Sequence, residues 1–550
     1  MRIPATVGLA RILKAEGVEW VTTFPVCHVN NALAEEGLSL LMMRDERYAV
    51  AVADAYSRLT GGKRIGVCTV MGGLNPAGFQ MAYGALAQAY EDSSPLLCIT
   101  DGLPEGMAGQ IRYPLAAGLR TVAKWVGTIT APEEVPSVMR QAFTHLRTGR
   151  PGPVLVTMPR GLGEYDPEAR PYKPVCGWRF SPAPEDIAAA VQALRSAKRP
   201  LLYVGEGIFY ADAVGELAQF AELAQIPVLT TLKGKSAFPE DHPLSVGVRG
   251  EAAIHFLQTS DLILAIGTSL SLGHFRHTIP EAHQKTIIHC TVDPADLNRT
   301  YRTDIALLGD AKLCLQALIR EAMVQGGIPR REGVTREIAD AKEAMFARYR
   351  PLMVSEERPI NPYRVYGDLL KTLDRRASLV SPDSGNPRDQ TSTVFEALIP
   401  RGYVGWGNVS TLGFSLAVAM AGKLAFPERQ CLNITGDAGI GYMFSNFEAL
   451  VRYNLGVTTV YINNGGFAGY GPGFWGKGHD PYTYRVLDHS VADWSEAARC
   501  LGYHAEHVQE PEEIIPALHR AFAENARGRP ALVEILCSQY PVFGAWATAL

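Results

Sequence analysis

The chain has 550 residues, 47% of them hydrophobic and 20% charged, with a formal net charge of −4, a length that allows about three domains. So small an acidic balance gives no reason to expect a nucleic acid or an anionic membrane as partner, and no stretch approaches the roughly 18 apolar residues of a spanning helix. Nine cysteines are scattered without a CxxC pair, which argues against a zinc site or disulfide framework and for a reducing cytoplasm.

In chain order, the N-terminal "MRIPATVGLARILKAEGVEW" has no apolar run ahead of a small-residue cleavage site, so no secretory signal is expected. "LSLLMM" reads as a strand, followed by a helix of small residues with Ala49, Ala51, Ala53 and Ala55. The apolar runs "RIGVCTVMGG", "PLLCITDG" and "PVLVTMP" follow, the last two separated by the helical pattern "PEEVPSVMRQAFTHL". Residues 159–185 are Pro-rich and aperiodic, as a linker is. Beyond them come "PLLYVGEG", the helical "ADAVGELAQFAELAQ", "DLILAIGTS" and "TIIHCTVD". A second seam, 324–362, carries a charged helix, "VTREIADAKEAMFARYR", expected to be solvated. "ASLV", "QCLNITGD", "FSNFEALVRYNL", "TTVYINN" and "PALVEIL" complete the chain. Unalternated apolar runs suit strands buried on both faces, hence parallel sheets. The expected class is α/β, with three doubly wound parallel-sheet domains near 1–160, 185–325 and 362–550.

The last block concentrates chemistry. Gly436-Asp437 closes the strand "QCLNIT" and Asn463-Asn464 closes "VTTVYI", so one strand–helix–strand unit delivers Asp437 and Asn464, 27 positions apart, to one sheet edge. In parallel sheets that edge binds ligands. A carboxylate and an amide oxygen are hard donors suited to Mg²⁺. Either pair alone is more simply a strand-end turn; both together point to a metal. The segment resembles the thiamine diphosphate signature, GDG followed by NN, with Ala438 in place of the third glycine. That resemblance implies Mg²⁺ held by Asp437, Asn464 and the main-chain carbonyl of Gly466, clamping the cofactor's diphosphate, with Gly436, Ala438, Gly439 and Phe467 beside the cofactor. "SPDSGNP" (381–387) resembles the family's diphosphate loop through Ser384, Gly385 and Asn386. "GNVSTLGFSLAVAMAGKLAFP" (407–427) resembles the family segment in which an apolar residue, here Leu412, props the cofactor into its bent shape. Phe467, Tyr470 and Trp475, in a Gly-rich aromatic segment, either line the pocket or pack.

"RDERYAVAVADAYSRLTGGKRIGV" (44–67) resembles the corresponding stretch of acetolactate synthases almost position for position. By that likeness Glu46 is catalytic: a carboxyl bonded to the cofactor's aminopyrimidine favours the imino tautomer that removes the thiazolium proton. Such a carboxyl should be buried with a raised pKa. In the family it comes from one subunit and the metal motif from another, so the resemblance implies a homodimer or a dimer of dimers (a homotetramer), with active sites at the subunit interface. It covers all three domains: pyrimidine-binding, central Rossmann-like and diphosphate-binding. Family members often hold FAD in the central domain. Here "GTSLSLGHFRH" (267–277) replaces the synthases' acidic-basic cluster and "GEG" (205–207) is only a fragment of a dinucleotide fingerprint, so FAD stays an open option.

Substrate-facing stretches depart more. "TTFPVCHVNNAL" places His28 where benzaldehyde lyases also carry an active-site histidine. Near the cofactor it would relay protons to a carbonyl or alkoxide; otherwise it is a solvated or capping residue. The reading is an acetolactate synthase-like transferase that decarboxylates a pyruvate-like 2-oxo acid and passes the carbanion-enamine to a carbonyl acceptor. The alternative is a lyase or carboligase resembling benzaldehyde lyase or 2-hydroxyacyl-CoA lyase, acting on a 2-hydroxy carbonyl substrate.

Overall fold

The structure, a computed structural model, describes residues 1–103, 107, 115–405, 407–466 and 493–547. The chain forms two compact units. One comprises residues 1–179 with 420–427 and 445–453; the other holds the rest. The first expected linker, 159–185, contains the division near 179. Among the described residues, no helix is long and apolar enough to cross a membrane.

The first unit is built on a six-stranded parallel sheet: β1 (Trp20–Thr23), β2 (Ser39–Met42), β3 (Gly66–Val70), β4 (Leu96–Asp101), β5 (Trp125–Thr128) and β6 (Val154–Met158), in the order β2-β1-β3-β4-β6-β5. β3, β4 and β6 are buried at every position, as their unbroken apolar runs require. The order reverses between β1 and β3, which opens a crevice at the strands' carboxyl ends. The helix Glu46–Leu59 packs its small residues into this layer and is anchored from inside: buried Arg58 spans Asp54 at 2.7 Å and Asp92 at 3.0 Å.

The second unit contains two parallel sheets. The central one has β7 (Pro200–Val204), β8 (Val228–Thr230), β9 (Ser245–Gly247), β10 (Leu262–Ile266), β11 (Thr286–Thr291) and β12 (Ile305–Leu308), ordered β9-β8-β7-β10-β11-β12. This is the 3-2-1-4-5-6 arrangement of dinucleotide-binding sheets. The other has β13 (Ser378–Pro382), β14 (Gln430–Thr435), β15 (Val457–Asn463), β16 (His504–Val508) and β17 (Ala531–Leu536), ordered β13-β14-β15-β17-β16. The fold class is therefore α/β with three parallel sheets flanked by helices.

Two expectations need correction. The helix Val334–Tyr349 is not a solvated spacer. Val334 and Ile338 enter the core of the central sheet, and Met345 and Tyr349 enter the core of the last sheet. Their spacing of four, seven and four puts them on one helical stripe, which the dense charges of the other faces conceal. The segment after β14 is also not one helix. A helix Asp437–Met443 starts at the strand end, a 3₁₀ turn covers Phe444–Asn446, and a second helix spans Phe447–Arg452.

Candidate active site

In the first unit, Glu46 opens its helix at the carboxyl edge of the sheet. Asp45 caps that helix by accepting from Tyr48 N–H at 2.8 Å. Glu46 is 6% exposed, and burial raises its carboxyl above the ordinary glutamate value, favouring the protonated form. No ion pair to Glu46 exists among the described residues. Space for the carboxyl depends on Gly78, where an added Cβ would lie 2.7 Å from Glu46 Oε1. The capping turn is itself clamped by Asn446. Its amide oxygen accepts from Arg44 N–H at 2.9 Å and its amide nitrogen donates to Asp45 Oδ2 at 3.0 Å. Sequence reasoning passed over Asn446 because the partners lie about four hundred positions apart.

His28 lies between β1 and the helix Asn30–Glu35. Its Nδ1 makes a short hydrogen bond to Asp101 Oδ1, and its backbone N–H points to the same oxygen at 3.4 Å. Nε2 is buried and has no partner among the described residues. A buried polar atom left this way costs about 1–3 kcal/mol. Asp101, the last residue of β4, was not singled out from the sequence. The signal was available: like Asp437, it is an acid beside a glycine at the end of an apolar strand.

In the second unit, β13, β14 and β15 end at one edge, with Pro382 opposite Ile434 and Thr435 opposite Tyr461. That register brings Ser384, Asp437 and Asn464 to a common edge. Asp437 is the first residue of its helix, and its carboxylate is held by its own N–H and that of Ala438. Burial raises it above the usual aspartate value, and no cation pairs with it among the described residues. Asn464 is buried, and its amide oxygen accepts from Gly466 N–H at 3.3 Å. Carboxylate, amide oxygen and the Gly466 carbonyl make a donor set suited to a hard cation.

Gly385 has φ +90°, and an added Cβ there would meet nothing within 4 Å, so its backbone borders open space. Ser384 Oγ bonds Ser410 Oγ, and Asn386 begins the helix Asn386–Val394. Leu412 is half-buried in the loop before the helix Phe414–Ala425. Gly436 is half-buried, with its nearest obstruction to a Cβ at 3.7 Å, whereas Gly439 is packed tightly, since a Cβ would lie 2.9 Å from Asp383 Oδ2. Asp383, fully buried, was also missed. It accepts from Gly413 N–H at 3.0 Å and Ser415 Oγ at 2.9 Å, tying the loops of Ser384 and Leu412 together. Phe467, Tyr470 and Trp475 lie outside the described residues.

Three segments of the chain match domains of one enzyme family. Residues 5–122 match the N-terminal TPP binding domain of thiamine pyrophosphate enzymes, 187–318 the central domain and 383–535 the C-terminal TPP binding domain. A probable acetolactate synthase large subunit from Methanocaldococcus jannaschii is 30% identical, across 96% of this chain and 91% of its own. The chain belongs to the thiamine pyrophosphate enzyme family. A glyoxylate carboligase from Escherichia coli O157:H7 is 28% identical across 96% of this chain and 91% of its own. An acetolactate synthase large subunit from Parasynechococcus marenigrum is 30% identical across 84% and 76%.

For a thiamine diphosphate-dependent enzyme of this kind, the remaining question is whether its central sheet fits FAD. A dinucleotide's pyrophosphate lies beyond the first strand, on backbone N–H groups at a helix N-terminus. Beyond β7 the chain instead places Glu206, whose Oε1 lies 3.1 Å from both Arg401 Nη atoms and whose Oε2 lies 3.4 Å from Lys233 Nζ. The glycines of "GEG" serve close packing: a Cβ on Gly205 would lie 2.3 Å from Gly267 O, across the switch point. A neutralised carboxylate in a closed crevice does not fit a dinucleotide phosphate.

Proposed function

We propose that the enzyme holds thiamine diphosphate through Mg²⁺, removes CO₂ from a 2-oxo acid and joins the remaining fragment to a second carbonyl compound. Asp437, Asn464 and the Gly466 carbonyl would hold the metal. Ser384, Gly385, Asn386 and Gly436 would border the diphosphate, and Leu412 would support the rings. The cofactor supplies the carbanion chemistry. Glu46, its carboxyl raised by burial, would hydrogen-bond the aminopyrimidine and share a proton there. The working unit is at least two copies of the chain, with Glu46 from one and Asp437 from the other.

The observation that carries this reading is a pair of acids, Glu46 buried and Asp437 half-buried, neither matched by a cation among the described residues and both raised by desolvation. Acids held in this state are expensive unless a ligand uses them. The names of the relatives, acetolactate synthase and glyoxylate carboligase, make pyruvate and glyoxylate the first substrates to try. Protein loaded with Mg²⁺ and thiamine diphosphate should release CO₂ from one of them and yield a ligated product. Inertness toward 2-oxo acids with cleavage of an acyloin or a 2-hydroxyacyl-CoA would select the lyase reading, which His28 favours. Absence of both activities overturns the proposal.

A further inference from the structure

The corner formed by Cys27, His28 and Asp101 has no part in holding the cofactor as proposed above, yet it is built for acid–base work. The loop carrying His28 leaves β1 and crosses the end of β3 to reach Asp101 at the end of β4. It therefore lies on the same sheet edge as Glu46, which follows β2. An ionised carboxylate only accepts hydrogen bonds, so the bond to Asp101 Oδ1 places the ring hydrogen on Nδ1. In the neutral ring this leaves Nε2 as a bare acceptor; in the protonated ring Nε2 is a donor. Buried polar atoms are nearly always paired, and Nε2 has no partner among the described residues. A substrate oxygen can serve as that partner in either state of the ring.

Two other readings of the corner are weaker. Ligand atoms of Cys27, His28 and Asp101 lie within 4.8 Å of one another, a spacing that a metal could bridge. However, Nδ1 is already committed to Asp101, and burial drives the Cys27 thiol far above its ordinary range, so it remains S–H rather than a thiolate ligand. A purely structural pair would not leave the outer nitrogen buried and unpaired. Arg160 Nη2 lies 3.9 Å from Asp101 Oδ2 and sets an opposite charge beside the acid.

We infer that Asp101 is a positioning residue that holds His28 in the Nδ1–H tautomer, so that Nε2 exchanges a proton with the oxygen of the acceptor carbonyl. This rests on the carboligase reading given above. As the acceptor carbon gains its new C–C bond, the C=O π pair moves to oxygen, which takes the proton from Nε2 of the charged ring. Water returns a proton to the ring. In the cleavage direction Nε2 takes the hydroxyl proton as the C–C bond breaks.

The test combines spectroscopy with a double-mutant cycle. Histidines labelled with ¹⁵N are observed in the full-length protein, and the His28 signals are assigned by their loss in His28→Gln. Nδ1–H is expected in the unsubstituted protein, with a shift toward Nε2–H in Asp101→Asn, whose amide can donate to Nδ1. Asp101→Asn should lower turnover of the Mg²⁺–thiamine diphosphate-loaded enzyme about 10²–10⁴-fold while cofactor affinity holds. In a His28→Gln background the same change should alter turnover by less than about twofold. An Nε2–H tautomer in the unsubstituted protein overturns the inference, as does an equal fractional loss in both backgrounds. Should no 2-oxo acid be turned over, the functional reading fails separately, and the tautomer alone decides the dyad.

Discussion

Two sheets of the second unit end a buried strand in glycine and an acid: Gly205-Glu206 after β7 and Gly436-Asp437 after β14. The local sequence logic is the same; the surroundings are opposite. Glu206 is met by Arg401 and Lys233, and Arg401 is itself stacked 3.9 Å from the Phe209 ring centre. Among the described residues Asp437 is met by two main-chain N–H donors and no cation, and the nearby glycine leaves space rather than filling it. An acid that the chain neutralises serves packing, whereas Asp437, without such partners among the described residues, is the acid proposed to take a cation from outside. Removing each should therefore give mirror-image results.

The largest effect is expected at Asp437. Asp437→Asn should weaken Mg²⁺-dependent cofactor binding at least about a hundredfold and take activity to background, as read by calorimetry and turnover. The fold should not suffer. A carboxyl raised on folding contributes stability that is present below its unfolded value of 3.8 and lost as pH rises through the folded value. At neutral pH the charge is a net cost, and ligand-free Asp437→Asn should melt at or slightly above the temperature of the unsubstituted protein. A large fall in melting temperature with cofactor binding intact would place Asp437 in the same class as Glu206.

Glu46 extends the contrast to the first unit. Glu46→Gln keeps a hydrogen-bonding side chain of the same shape but cannot share a proton, so turnover should fall about 10²–10⁴-fold with cofactor affinity unchanged. Its folded carboxyl is also raised, here above 4.5, so stability is lost as pH rises through that window. The variant should accordingly lose none of its melting temperature above pH 5. Full turnover by Glu46→Gln would remove the residue from the chemistry.

Glu206→Gln should do the reverse. It takes the acid away from buried Arg401, at a cost of about 3–5 kcal/mol, measurable by urea unfolding. Thiamine diphosphate affinity per folded molecule should not change. A variant of normal stability with weakened cofactor binding would show that the central switch point serves a ligand after all.

The contrast also explains what could be read without coordinates. Asp437 and Asn464 were legible because one strand–helix–strand unit fixes both at the same edge, and Glu46 because its segment, between a strand and a helix of alanines, resembles that of acetolactate synthases. Glu206 and Asp437 were not separable, since the cations that distinguish them arrive from residues 401 and 233, on other loops. Asp101, Asp383 and Asn446 escaped for the same reason: their bonds span 73, 32 and 402 positions. The helix Val334–Tyr349 shows a different failure, in which eleven polar and small residues hid a four-residue stripe facing two cores.

The smallest effect concerns the loop that closes against Glu206. Residues 267–277 are fastened at their end by His277, whose Nε2–H donates to Val248 O at 2.8 Å and whose Nδ1 accepts from Ala547 N–H at 2.9 Å. Burial pushes this imidazole down to about 4, so the folded ring is neutral and both bonds need it so. Between an unfolded value of 6.5 and a folded value of about 4 the unfolded chain binds more protons. Stability is whole above pH 6.5 and is lost as pH falls toward 4, by about 3 kcal/mol in total. His277→Gln retains a donor and an acceptor but does not titrate, so its stability curve should be flatter across that window. Parallel curves for the two proteins would mean that the ring is charged in the folded state, and that the loop closing the central crevice is held by something other than this pair of main-chain bonds.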